Sequence, residues 1–417
     1  MTLTSAEQAV VDRAMGAPML DQVLHWAAIN SGSGNLDGLA AMAGELADAC
    51  ADLPGTVELL DPEPVTKIDA QGRESATGHG RNLLLTVRPG APVQVLLTGH
   101  MDTVFGADHP FQTFQWPAPG VLNGPGVADM KGGLAVMIAA LRAFEASPDR
   151  DRLGYQVVFN SDEEVGSPGS APLLARAARG KLAAFTYEPS ALPDGTLAAA
   201  RPGSGNFSLI VTGRGAHAGR NPQDGRNAVV AAADLALRLT ALIRPGLSVN
   251  CARIEGGGPN NVVPDHAVLR VNMRPLTPAD EAFATQALDS IIVQVATAHD
   301  LHIHRHGSFG RPPKPVSAQG QRLLEMVRDC GRMLGQEIGW KDTGGVCDGN
   351  NIAACGVPVV DTMGVRGGSI HSAQEYLIAE SLGERAALSA LLLCRLARHG
   401  GIEGEGVEHR APQGRLE

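Results

Sequence analysis

From Asn82 onward, short apolar, β-favouring runs alternate with helical stretches, and run after run stops at a cluster of acids or a histidine. That alternation constrains the fold more than any other feature, because it calls for a helix-covered sheet with its site beyond the strand carboxyl ends. Segments 82–87 and 93–98 read as two strands joined by a turn at Pro89-Gly90, and the second runs into Gly99-His100. Segment 130–146 has the Ala, Leu and Met content of a buried helix, and strand 155–159 ends in Ser161-Asp-Glu-Glu164. Upstream, Thr4 and Glu7 predict a capping box, with helical spacing to about Ile29 and a second helix over 36–50, both outside the sheet.

The rhythm changes near Arg201. Strand 207–211, helix 226–243, strands 248–254 and 267–273, helix 278–298 and strand 301–305 give a βαββαβ order, which suits a four-stranded sheet with two helices on one face. Gly203-Ser-Gly205 and 310–315 are expected hinges. The first pattern then resumes with helix 319–334, strand 357–361 and helix 379–398. The fold expected is therefore α/β. A catalytic domain of mixed, mostly parallel sheet and flanking helices, formed by 1–201 and 313–417, is interrupted by an α+β domain at 202–312. A chain of 417 residues also exceeds the ~250–300 at which single cores stop growing. The polar, Gly-rich stretch after Gly400 is expected to fray.

Charge and cysteines exclude several classes. Lys plus Arg number 34 against 44 Asp plus Glu, a net charge of −10 that disfavours nucleic acid or an anionic membrane as partner. No apolar stretch approaches the ~18–20 residues that span a bilayer, and the first residues lack a signal-peptide pattern, so a cytoplasmic location is expected. The six cysteines are scattered without a C-x-x-C pair, as expected of reduced thiols.

In Gly99-His-Met-Asp102, His100 and Asp102 lie two apart at a strand end and point the same way, as a metal-bound imidazole and its carboxylate partner do. Asp129 sits in the Gly-rich run 124–133 at a helix start, where the plain alternative is an N-cap. Glu163 and Glu164 end the next strand, where a solvated acidic turn is the alternative, and Glu188 ends the one after; His371 lies far downstream in Gly367-Gly-Ser-Ile-His. Each alternative outweighs a ligand when taken singly. Together these residues fall at successive strand ends of one sheet, where side chains converge. Mixed His and carboxylate donors suit zinc, and two metals ~3.5–4 Å apart hydrolyse a substrate without a protein nucleophile. Adjacent glutamates can divide the work, one aimed at water and one at metal.

With Asn82-Leu-Leu-Leu, His100-Met-Asp-Thr-Val, 159–166, Glu188-Pro-Ser and Ala216-His-Ala-Gly219 in place, the chain resembles the co-catalytic di-zinc aminoacylase and exopeptidase family. That family includes glutamate carboxypeptidase, acetylornithine deacetylase and succinyl-diaminopimelate desuccinylase, and the bacterial glutamate carboxypeptidases are nearest in layout. The resemblance implies two Zn²⁺, with Co²⁺ or Mn²⁺ as substitutes: His100 and Glu188 on one, Glu164 and His371 on the other, and Asp129 bridging. It implies Asp102 orienting His100, Glu163 as general base, and a cis peptide after Asp129. It also implies that the inserted domain forms a homodimer in which His217 reaches the partner's site to stabilise the oxyanion. Asn261 and Arg274 match positions that hold the substrate carboxylate, for which an arginine fork is suited. Arg311 is a weaker match, with a hinge residue as its alternative, and Gly367 and Gly368 join the substrate-binding set.

Two departures bear on specificity: Cys347 stands where relatives carry a small hydroxyl residue, with a packed thiol as its plain reading, and 201–205 differs near the substrate. His302, His304 and His306 mimic a metal comb but read as an exposed edge strand. No G-x-S-x-G elbow, H-E-x-x-H helix or P-loop occurs. The expected activity is hydrolysis of an amide next to a free carboxylate in a peptide or N-acyl amino acid. Glutamate carboxypeptidase leads, N-acyl-amino-acid deacylase is second, and a catalytically silent binding protein is the reading from another class.

Overall fold

A computed structural model describes residues 2–402, so the frayed tail expected after Gly400 lies almost wholly outside the described residues. Its centre is a six-stranded sheet in the order Thr56–Leu60, Asn82–Val87, Leu153–Asn160, Val93–His100, Ala183–Thr186, Val359–Val360. The last four strands are mutually parallel and the first two pair antiparallel, which makes the sheet mixed and mostly parallel. Asn82–Val87 and Val93–His100 are not hairpin partners, because Leu153–Asn160 lies between them. The turn at Pro89-Gly90 therefore launches a crossover, a distinction that local spacing does not encode.

The apolar runs are continuous because both faces are covered. Val95 and Leu97 pack on one side with Leu134, Met137 and Leu391, while Leu96 packs on the other with Leu173, Leu174 and Ile352. The first side carries the helices Ser5–Met15, Met19–Ala27, Gly132–Phe144 and Ser381–His399; the second carries Ala171–Ala178 and Asp348–Ala354. The capping box at Thr4 is present, with Thr4 Oγ1 accepting from Glu7 N at 3.2 Å and Glu7 Oε2 from Thr4 N at 2.7 Å. The expected helix to Ile29 is two helices, broken at Gly16-Ala-Pro18 because proline has no N–H to continue the ladder.

Residues 204–311 form an antiparallel four-stranded sheet, in the order Leu247–Gly256, His266–Pro275, Ser204–Thr212, His302–Arg311. The helices Ala228–Thr240 and Pro278–His299 cover one face around a separate core of Leu209, Leu235, Leu269 and Leu288. The other face receives a hairpin that spacing did not reveal, Val65–Ile68 with Glu74–Thr77. Its Ile68 packs on Ile210 and Val268, and Arg270 Nη2 donates to Ile68 O and Asp69 O, 2.9 Å each. The histidine comb lies on the edge strand His302–Arg311.

The expected hinges are shorter than their glycines suggest, since Ser204-Gly205 and Gly310-Arg311 lie inside paired strands. The two crossing segments instead bridge each other through paired main-chain hydrogen bonds of 3.0 Å between Arg201 and Lys314. Just beneath, buried Asp361 takes Arg201 Nε at 2.7 Å and Nη2 at 3.1 Å, with Lys314 Nζ at 3.2 Å.

Candidate active site

The parallel strands deliver their acids to one edge. His100 is the last residue of its strand, the acid pair Glu163-Glu164 follows Leu153–Asn160 after two residues, and Glu188 lies two past Thr186. His100 Nδ1 is 2.9 Å from the main-chain O of Asp102 and 3.4 Å from its carboxylate. That carboxylate also accepts from Glu163 N and Glu164 N at 3.1 Å each and from Ser33 Oγ at 2.7 Å. Asp102 thus orients the imidazole and pins the neighbouring acid pair.

Asp129 stands at the centre. Its Oδ1 is 3.1 Å from His100 Nε2 and its Oδ2 is 3.2 Å from His371 Nε2. His100 Nε2 is also 3.7 Å from Glu188 Oε2, and His371 Nε2 is 3.1 Å from Glu164 Oε2. Asp129 is presented by an irregular turn at Val127–Lys131 whose Asp129-Met130 peptide is cis. Glu375 gathers that turn, its carboxylate accepting from the N–H groups of Gly126 at 3.2 Å, Ala128 at 2.9 Å and Asp129 at 3.0 Å. His371 sits at φ 61°, a left-handed conformation that costs a side-chain-bearing residue energy and recurs at functional positions.

Burial pushes the Glu164 carboxyl up to about 7, with Asp129 adding to the rise. Burial also raises Glu163 well above the usual range, with Glu188 and Asp348 reinforcing and Arg311 opposing. His371 is pushed up to about 11 by its hydrogen bonds to Asp129 and Glu164. Burial works against a charge on His100, yet Glu188, Asp102 and Asp129 outweigh it and hold its proton on. Crowded carboxylates of this kind demand positive charge.

The donor set fits metal ions. Ligand atoms of His100, Asp129 and Glu164 lie within 4.8 Å of one another, as do those of His100, Glu163 and Glu188. Glu164 Oε1 is buried without a hydrogen-bond partner. Imidazole nitrogens with carboxylate oxygens are zinc-type donors, and metal binding displaces the imidazole protons that now balance the acids.

Asp129, Glu163, Glu164, Glu188 and His371 floor a cavity of about 520 Å³ whose wall includes Arg201, Cys347, Gly367, Gly368 and Tyr376. Cys347 is buried, and its thiol caps the helix Asp348–Ala354 by accepting from Gly349 N at 3.4 Å. Burial pushes that thiol well above its ordinary value, so it is a packed neutral group.

Other expected site residues lie elsewhere. His217 and Asn261 are exposed on the 204–311 body and do not line the cavity. His217 Nδ1 accepts from Gly219 N at 3.1 Å and Arg220 N at 3.2 Å. Arg274 donates to Asn272 Oδ1 and to Gly344 O, 3.0 Å each, and so touches the 343–347 loop of the cavity wall. Arg311 is buried and engaged by neighbouring side chains: it donates to Glu163 Oε1 at 2.6 Å and to Asp348 Oδ1 and Asn351 Oδ1 at 2.9 Å each. Sequence reasoning assigned no role to Arg201, Asp348, Asp361 or Glu375, since a single acid or arginine carries no spacing signal.

Known proteins resemble this chain along most of its length. The profile for "Peptidase family M20/M25/M40" matches residues 96–395. Carboxypeptidase G2 of Pseudomonas sp. (strain RS-16) is 28% identical over 379 residues, covering 88% of this chain and 86% of that protein. Succinyl-diaminopimelate desuccinylase of Xanthomonas oryzae pv. oryzae (strain PXO99A) is 29% identical over 375 residues, covering 82% and 97%. The fold matches that of an M20 family metallo-carboxypeptidase, Sso-CP2 from Sulfolobus solfataricus, with a TM-score of 0.70 over 92% of this chain and 100% of that one, at 15% identity.

Proposed function

This chain belongs to peptidase family M20/M25/M40 and is a hydrolytic metallopeptidase or amidohydrolase; from that premise we propose that it cleaves an amide next to a free carboxylate, as a glutamate carboxypeptidase-like exopeptidase. The observation that carries the reading is the arrangement around Asp129, one carboxylate oxygen toward each histidine, on the floor of a cavity large enough for a dipeptide-sized substrate. His100 and Glu188 would hold one zinc, Glu164 and His371 a second, with Asp129 shared between them. Bound there, the metals supply the Lewis acid that polarises a carbonyl and lowers the pKa of water.

This chain's own residues do the rest. Glu163 takes the proton from the attacking water and returns it to the leaving amine. Burial raises the Glu163 carboxyl above its usual range, which makes it a stronger base toward the attacking water. Arg311 and the Asp102-held main chain fix where Glu163 points. His217, whose Nδ1 accepts from two N–H donors, has Nε2–H left as its donor. In a homodimer built on the 202–312 domain, that N–H stabilises the oxyanion in the partner's site. Arg274 and Asn261 take the substrate's carboxylate as this domain approaches the cavity.

Resemblance to a desuccinylase keeps an N-acyl-amino-acid deacylase as the second reading. The test is amine release by zinc-loaded protein from a panel of peptidyl and N-acyl amino acids in which the two sides vary independently. Strict choice of a terminal glutamate with a loose acyl side supports the carboxypeptidase. Strict acyl choice with a loose amino acid supports the deacylase, and no hydrolysis of any member refutes both.

A further inference from the structure

A second cavity, of about 750 Å³, opens behind the wall of the first. Four arginines line it: Arg328 and Arg332 from the helix Ala318–Met333, Arg366 from the segment before Gly367, and Arg385 from the helix Ser381–His399. In a chain of net charge −10 such a grouping needs a reason.

Arg385 is the telling member. Its side chain is 2% exposed, and it forms no ion pair among the described residues. Its Nη2 donates to Gly195 O at 2.6 Å, and its Nη1 has no hydrogen-bond partner. Gly195 accommodates it only as glycine, since φ is 99° and a Cβ there would lie 2.7 Å from Nη2. Buried guanidinium groups ordinarily meet a carboxylate or are fully hydrogen-bonded. Arg328 is half-buried, with its guanidinium over Trp340 at 5.0 Å and its Nε buried and unpaired.

Glu384 and Asp194 on the same wall favour the charge of Arg385 through space but accept no hydrogen bond from it. Glu384 is taken by Arg366 at 3.1 Å, and Asp194 accepts from Thr196 N at 2.9 Å and Thr196 Oγ1 at 2.7 Å. Glu337 is exposed. Arg332 is held loosely at the rim by Asp329, 3.1 Å away. Donors in excess of acceptors, two of them unpaired and buried, are the complement of an oxyanion.

We propose that this cavity binds a small oxyanion, a carboxylate or a phosphate, on Arg385 and Arg328, with Arg332 at its mouth. The site adjoins the catalytic pocket. The 190–196 loop walls both cavities, with Ser190, Ala191 and Pro193 on the catalytic side and Asp194, Gly195 and Thr196 on the arginine side. A hydrogen bond from Ala191 N to Thr196 O at 2.8 Å ties its two sides together, and one from Ser190 N to Val365 O at 3.0 Å anchors it to the segment before Arg366.

The test follows the thermal midpoint of zinc-loaded protein against inorganic phosphate and, separately, succinate, with potassium chloride at matched ionic strength. The expected result is a saturable rise with at least one anion and none with chloride. Phosphate alone identifies a phosphate ligand and succinate alone a carboxylate. Half-saturation should shift by roughly tenfold in the double variant Arg328→Gln/Arg332→Gln, and the rise should vanish in Arg385→Leu. Should Arg385→Leu fail to fold, the double variant decides. An anion effect of equal midpoint in wild type and the double variant places binding elsewhere, at the metals for instance, and overturns the proposal. So does the absence of any saturable effect.

Discussion

Asp361→Asn isolates the ion cluster beneath the catalytic pocket. Asp361 is wholly buried and receives Arg201 through two hydrogen bonds of 2.7 and 3.1 Å, with Lys314 at 3.2 Å. Arg201 and Lys314 are themselves 8% and 4% exposed, so the substitution leaves two buried cations facing a neutral amide. Removing one partner of a buried ion pair costs about 3–5 kcal/mol, and at ~2 °C per kcal/mol for a body of this size the thermal midpoint should fall by about 6–10 °C. The sign with pH is fixed. Burial opposes the charge on Asp361, but Arg201 and Lys314 hold its carboxyl below the usual range. The stabilisation is therefore present above the unfolded-state value near ~3.9 and is lost as pH falls through the folded value. Calorimetry of wild type and variant from pH 8 downward should show a constant gap to about pH 4 that narrows below it. A gap under ~2 °C at neutrality, or one that widens on acidification, would mean that Asp361 is not the counter-charge that stabilises Arg201 and Lys314. Catalytic efficiency should fall too, because Arg201 also anchors Gly345 O at 3.1 Å and Thr343 Oγ1 at 3.3 Å in the pocket wall.

Glu163→Gln should lower kcat by about 10²–10⁴ while zinc content by atomic absorption is unchanged; unaltered turnover removes Glu163 from the base role. His217→Ala should cut turnover by a similar order without loss of metal, and mixing it with Glu163→Gln should regenerate active sites if the histidine acts across a dimer. A verified heterodimer without regained activity puts the whole site in one chain. Burial pushes Cys50 up to about 12 and Cys394 up to about 11, so both should react with a disulfide reagent at neutral pH only after unfolding. Rapid labelling of either in folded protein contradicts their packing.

Four of the clustered residues were legible in the sequence because they sit where a parallel strand ends, a position that local spacing marks; Asp129 and His371 stood out only by their Gly-rich surroundings. His100, Glu163, Glu164 and Glu188 each follow an apolar run, and the sheet brings those ends together. What holds the donors was not legible. Glu375 shapes the Asp129 turn from a position 246 residues away, and Arg311 reaches Glu163 across 148. Strand order escaped for the same reason: the insertion of Leu153–Asn160 between the first two predicted strands depends on how helices cover both faces, not on the residues at the turn. The hairpin at 65–77 was missed because its strands are short and mostly exposed, and only Ile68 finds an apolar partner.

The paired His and carboxylate groups around Asp129 are proposed to hold two catalytic metal ions. The most direct test measures metal per chain and amide hydrolysis on the same preparation, before chelation, after it, and through stepwise zinc return. Hydrolysis should vanish with the metal and return as zinc approaches two ions per chain. Hydrolysis at full rate by demonstrably metal-free protein would contradict that proposal.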